Sequence, residues 1–455
     1  MTEMSSTIAT EASHFQFWAA TAIFIVAYGI IISERIHKTI VAILGAGVVL
    51  VLGILDQHEA FHMEELGIDW NVIFLLISMM IIINLMRPTG IFEYIAIKSA
   101  KVAGADPFKI LVVFAVVTAI LSALLDNVTT VLLITPVTLL IADALEVDSI
   151  PYLISCALAS NIGGTATLIG DPPNIMIASK AKLDFMAFIY HLTPVVIIIM
   201  LCYLAAIRLI WKKRLITTPA LQKKILNMNE RAAIKNPFLL KKAMFVLGVV
   251  LIGFTFHSVL HLEPATVALF GAGLLMLMSR THEPHHLLAE VEWPTIFFFI
   301  GLFVMVGAVV KVGLISWLSA QMLQLTHGNL FATSMLVLWF SAVASAIVDN
   351  IPYVATMNPL IIDMAKQLWP NETGLQLLQH AELMPLWWSL ALGACLGGNA
   401  TAIGASANVI VVGFAEKAGK PISFLRFMAY GVPITLMTVA ISTLYVWLRY
   451  YLIKF

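Results

Sequence analysis

The chain has 455 residues, 60% hydrophobic and 11% charged, and its 26 basic and 26 acidic side chains leave a formal net charge of zero. A soluble globular chain carries about 45–50% apolar and about 25% charged residues, so a soluble enzyme fits poorly and a lipid bilayer is the expected surrounding. The neutral balance by itself says nothing about partners, and no nucleic-acid partner is expected; the three cysteines, Cys156, Cys202 and Cys395, show neither disulfide nor metal spacing.

Met1 to His14 lacks the basic start and cleavage site of a signal peptide. Apolar runs suited to about 30 Å of hydrocarbon follow at 17–32, 40–55, 72–86, 110–125, 128–145, 152–177 and 188–211. A polar stretch at 212–242 separates them from a second set at 243–256, 266–278, 295–310, 331–348, 353–368, 384–414 and 427–445. The clustered His282, His285 and His286 read as a solvated loop, and the amphipathic stretches 91–103 and 314–325 as helices at opposite membrane surfaces. No phosphate-binding glycine loop with a lysine is present.

The two halves repeat each other. Sliding the chain until Asp126-Asn127 falls on Asp349-Asn350 also puts Trp70 on Trp293, Gly90 on Gly313, Ser122-Ala123 on Ser345-Ala346 and Pro136 on Pro359. Past an insertion near residues 371–382, Gly163-Gly164 meets Gly397-Gly398, while Thr167, Gly170 and Asn174 meet Thr401, Gly404 and Asn408. Each half breaks its apolar segments twice. The first break places Asp-Asn between two apolar arms, read as a re-entrant hairpin with Asp-Asn at its tip. The second lies at Gly163, Gly164, Gly170, Pro172 and Pro173, and again at Gly397, Gly398 and Gly404, where the helix should unwind. Non-helical backbone at membrane depth persists where it is packed in protein or lines a cavity, and paired breaks in two halves point to a transporter's binding site.

The expected fold is an all-α polytopic membrane protein of two inverted repeats, 15–211 and 243–455, joined by a cytoplasmic linker at 212–242. About ten transmembrane helices, two re-entrant hairpins and two unwound helices are expected. With the basic run at 35–38 in the cytoplasm, the basic loops at 87–109, 212–242, Arg280 and 417–426 face the same side, and both termini lie outside.

Asp126 and Asp349 fall mid-membrane, as does Asp171, and intramembrane ionisable groups are functional candidates by default. The plainer reading of the two tip aspartates is as N-caps of the half-helices that begin after them. Asn127, Thr129, Thr165, Asn174, Asn350, Asn399, Thr401, Ser406 and Asn408 supply neutral polar groups for a substrate or ion, or satisfy backbone freed by the breaks. Asp171-Pro172-Pro173 faces Ala405-Ser406-Ala407 in the second half, so only Asp126 has a second carboxylate in its own repeat's expected site.

The stretches SALLDNVTTVLLITPVT, ASNIGGTATLIGDPPN, SAIVDNIP and LGGNATAIGASANVIV resemble the ion transporter superfamily, nearest its branch of arsenite permeases and the P-protein. That superfamily also includes sodium/proton antiporters and dicarboxylate carriers. The resemblance implies a scaffold at 15–105 and 243–328 and a transport domain at 106–211 and 329–450. In related dicarboxylate carriers the tips read Ser-Asn-Thr; here they carry carboxylates, with no Lys or Arg expected nearby, which disfavours anionic cargo. The expected function is proton-coupled antiport exporting arsenite or antimonite, with Asp126 and Asp349 carrying the proton. Sodium/proton antiport is the alternative, and an anion channel or sodium-coupled dicarboxylate symporter a more distant one. No cofactor is implied; an associated ATPase is compatible with the resemblance, and a bacterial-type inner membrane is the expected location.

Overall fold

A computed structural model describes residues 14–279 and 284–453; Arg280 and His282 lie outside the described residues. Among those residues the regular structure is all helical, with no strand, and the helices of ten residues or more fall into two runs of matching order. The first run is α1 (His14–Ser33), α2 (Lys38–Val51), α3 (Trp70–Met86), α4 (Ile91–Val102), α5 (Pro107–Leu124), α6 (Asn127–Ala144), α7 (Ile150–Gly164), α8 (Pro172–Ala181) and α9 (Thr193–Trp211). The second is α10 (Pro237–Phe256), α11 (Pro264–Ser279), α12 (Trp293–Lys311), α13 (Leu314–Leu325), α14 (Leu330–Ile347), α15 (Asn350–Leu368), α16 (Met384–Gly397), α17 (Ser406–Lys417) and α18 (Phe424–Val446). Among the described residues, 9 helices are long and apolar enough to cross a membrane, α5, α6 and α14 included.

Local chemistry explains the boundaries. Asp69, Asp106 and Asn329 cap α3, α5 and α14 by accepting from the backbone N–H of the third residue of each helix. Gly90 and Gly313 open α4 and α13 at φ +79° and +86°, a left-handed conformation that favours glycine. Large apolar side chains such as Ile25, Leu44, Leu201, Leu209, Phe270 and Leu277 stay exposed on the outer faces, as contact with lipid tails requires.

The halves are packed by exchange. Helix α2 lies along α12, and α11, the counterpart of α2, lies along α3. Likewise α6 packs on α17 while α15 packs on α8. Within each half the first hairpin arm is seated on the helix before the break, α5 on α7 and α14 on α16. Glycine makes that seating possible. A Cβ on Gly163 would lie 2.1 Å from the Ala119 carbonyl oxygen, and one on Gly397 2.5 Å from that of Ala342.

Two expectations change here. The hairpin arms hold 18 or 19 residues, so α5 and α15 are longer than their 16-residue apolar runs while α6 and α14 match theirs, and each arm is about 27–28 Å at 1.5 Å per residue. The unwound stretches are residues 165–171 and 398–405, short turns and a single 3₁₀ turn. Pro172-Pro173 does not break a helix: it occupies the first turn of α8, where missing N–H groups cost nothing.

Candidate functional site

Each hairpin tip is a two-residue interruption. Helix α5 ends at Leu124 and α6 starts at Asn127; α14 ends at Ile347 and α15 starts at Asn350. Asp126 caps α6 with both oxygens, accepting from the Thr129 backbone N–H at 2.7 Å and the Thr129 hydroxyl at 2.6 Å. Asp349 makes only a long cap contact, 3.3 Å to the Ile351 N–H. Its Oδ2 instead accepts from the Ser406 hydroxyl at 2.9 Å and from the Lys38 ammonium at 2.5 Å. Lys38 also reaches Ser406 at 3.1 Å and lies 5.0 Å from the centroid of the Phe298 ring.

Both tips line one cavity of about 480 Å³. It extends to the exposed turn between α1 and α2, at Glu34 and His37, and its wall includes Met80, Glu292, Thr295 and Ser406. The expectation that no basic residue falls near the tips is therefore corrected. Lys38 opens α2, remote in sequence from both breaks, and the fold brings it to Asp349. With Asp126, Asp349, Glu34 and Glu292 against Lys38, the charged groups on this otherwise largely apolar wall are mostly acidic.

The remaining predicted residues form a buried layer behind the cavity. Asn174 donates its amide to the carbonyls of Gly164, Thr165 and Thr167, and Asn408 does the same to Gly398 and Thr401. Thr167 and Thr401 donate to the Ala123 and Ala346 carbonyls, pinning each unwound stretch to its own hairpin. Thr165 donates to the Asn161 carbonyl. These bonds satisfy backbone that the breaks release. Asp171 is fully buried and accepts from the Asn350 amide at 3.3 Å on each oxygen. The carboxylate expected to accompany Asp126 thus stands against the tip of the other half.

Asn161 was not singled out from the sequence, yet it is the hub of this layer. It accepts from Asn127 at 3.1 Å and donates to Asn399 at 2.9 Å and Asn408 at 3.0 Å. Its counterpart in the repeat is Cys395, whose thiol points at Asn174 Oδ1 from 3.5 Å. A search for matched residues passes over a position where one half has an amide and the other a thiol. Glu292 had a usable signal: it aligns with Asp69, each directly before a matched tryptophan.

Comparison with known proteins places the chain among transporters. Residues 28–393 match the family model described as Citrate transporter, CitMHS. The chain is 46% identical over 434 residues to an uncharacterized transporter of Mycobacterium tuberculosis, covering 95% of this chain and 99% of that one. It is 45% identical over 431 residues to the 46 kDa membrane protein of Mycobacterium leprae, covering 95% and 98%. The human P protein is 32% identical over 508 residues, covering 94% of this chain but 59% of that longer protein.

Proposed function

The chain belongs to the citrate transporter family and is an integral membrane transporter; from that premise we propose that it is a proton-coupled antiporter whose coupling cation binds at Asp126 and Asp349. The observation that carries this reading is the convergence of both tip carboxylates on one cavity, Asp126 having no cationic partner among the described residues. Two carboxylates in a protein-lined cavity attract protons and small cations and repel free multivalent anions.

Carboxylate and hydroxyl oxygens of Asp126, Asp349, Thr129 and Ser406 are hard ligands, so sodium is the first cargo candidate. Arsenite is the second, because the uncharged hydroxide suits the hydroxyls of Thr129, Thr295 and Ser406 on the same wall. Citrate, which the family description names, would have to enter this acidic lining with its charge covered by protons or a bound cation.

Purified protein in liposomes carrying an interior pH-sensitive dye tests the reading. Sodium or arsenite should dissipate an imposed proton gradient, and Asp126→Asn should abolish that response while the variant melts like the parent. Dissipation by citrate alone, with neither sodium nor arsenite active, would overturn it.

A further inference from the structure

The two tips are chemically unequal although the sequence repeats them. Asp126 is satisfied within its own hairpin by Thr129. Asp349 is held by Lys38, from the turn between α1 and α2, and by Ser406, from the start of α17. Lys38 is about a quarter exposed and Asp349 about a tenth, at 28% and 11%, so water screens the pair only in part. The same ammonium lies over Phe298 of α12, the helix against which α2 packs. The half related by the repeat has no such arrangement, because α11 begins at Pro264 and, among the described residues lining the tip cavity, the basic side chains are His37 and Lys38 of the α1–α2 turn.

We propose that Lys38 is a tethered counter-cation that fastens the second hairpin to the α2–α12 pair while Asp349 is ionised and empty, and lets go once a proton or cation neutralises Asp349. The ammonium occupies the side of Asp349 on which a small cation would be coordinated, and Ser406 is its shared partner. A cation entering from the cavity therefore competes with Lys38 for the same oxygen. The cavity-open arrangement, in which Lys38 and Asp349 meet, is stabilised by the empty site and loses that support on loading. A charge switch of this kind makes movement conditional on occupancy, since a ligand shifts an equilibrium only through its different affinity for the two states. Asp126, free of any lysine, remains available to the coupling ion throughout. Lys38 is a positioning residue here, acting through the hairpin it holds.

The trigger of this device rests on the assignment of the tips to a coupling cation, but the ion pair can be read without any transport. Met80 lines the cavity and is partly exposed to it. In detergent-purified Met80→Cys protein, the rate of modification of that cysteine by a water-soluble maleimide reports the cavity-open population. Lys38→Met should slow modification by about three- to tenfold, the shift expected on losing a part-buried charge pair. Asp349→Asn, which mimics a neutralised tip and reaches the pair from its other side, should slow it equally. The double variant should add nothing, and Lys38→Arg should restore the parent rate. Parent-like rates in both single variants, or effects that add in the double variant, would overturn the tether. Because the probe is the maleimide alone, that failure is separable from failure of the antiport reading, which the liposome experiment decides.

Discussion

At the scale of single residues, identical Asp-Asn pairs take different environments, and hydrogen bonding decides the difference. Asp126 is a cap that also faces the cavity, so capping leaves the proposed ion-binding role open to it. Asn161 carries the buried layer: its side chain joins Asn127 of one tip to Asn399 and Asn408 of the opposite break. Replacing it by alanine strips partners from groups that no water reaches, at about 1–3 kcal/mol for each buried group left unpaired. Asn161→Ala is expected to lower the thermal midpoint clearly in a tryptophan-fluorescence melt, whereas Asn236→Ala, which removes only an exposed cap of α10, should cost about 1 kcal/mol. Equal, small losses would show that the amide cluster is not a structural hub. Lys38 and Asn161 were hidden in the sequence for separate reasons. One sits at the start of a helix far from either tip, and the other has a cysteine where its repeat mate should stand.

At the scale of elements, periodicity and apolar length located the helices, and the matched breaks located both hairpins and both unwound stretches. What they misjudged was the work of the glycines and prolines. Gly163 and Gly397 lie in or at the end of regular helix, and their role is to let α7 and α16 approach the hairpin arms backbone to backbone. Such an approach is a tertiary fact that no local propensity encodes. Gly163→Ala places a methyl group against the Ala119 backbone and should cost about 1–3 kcal/mol through forced displacement of the arm. Gly413→Ala, also within a helix but with nothing within 4 Å of the added carbon, should instead stabilise by about 0.5–1 kcal/mol through helix propensity. Thermal melts of the two purified variants should therefore move in opposite directions. A neutral Gly163→Ala would contradict the close seating of α5 on α7.

At the scale of the whole molecule, the exchanged packing of α2 on α12 and α11 on α3 holds the two halves of the chain against each other. The duplication was legible because residue identities recur at fixed spacing; the exchange was not, because partners lie in opposite halves. A second cavity, of about 300 Å³, lies away from the tips among Glu64, Glu65, Asp69, Lys180, Lys182 and Asn358. Glu64 and Glu65 lie beyond one end of α2, while Glu34 and Lys38 lie at its other end. Fourteen residues of helix separate those ends by about 21 Å, most of the thickness of a hydrocarbon core. The two cavities are thus expected to open on opposite sides of the membrane, the tip cavity on the side of the basic turn at residues 35–38. Single cysteines at Glu34 and Glu65, both exposed positions, test this in right-side-out and inverted vesicles with an impermeant maleimide. Glu34→Cys and Met228→Cys, the latter in the linker, should react from the cytoplasmic side, and Glu65→Cys from the outside. Reaction of Glu34→Cys and Glu65→Cys from one side would place both cavities on the same face, and two-sided access through this fold would have to be abandoned.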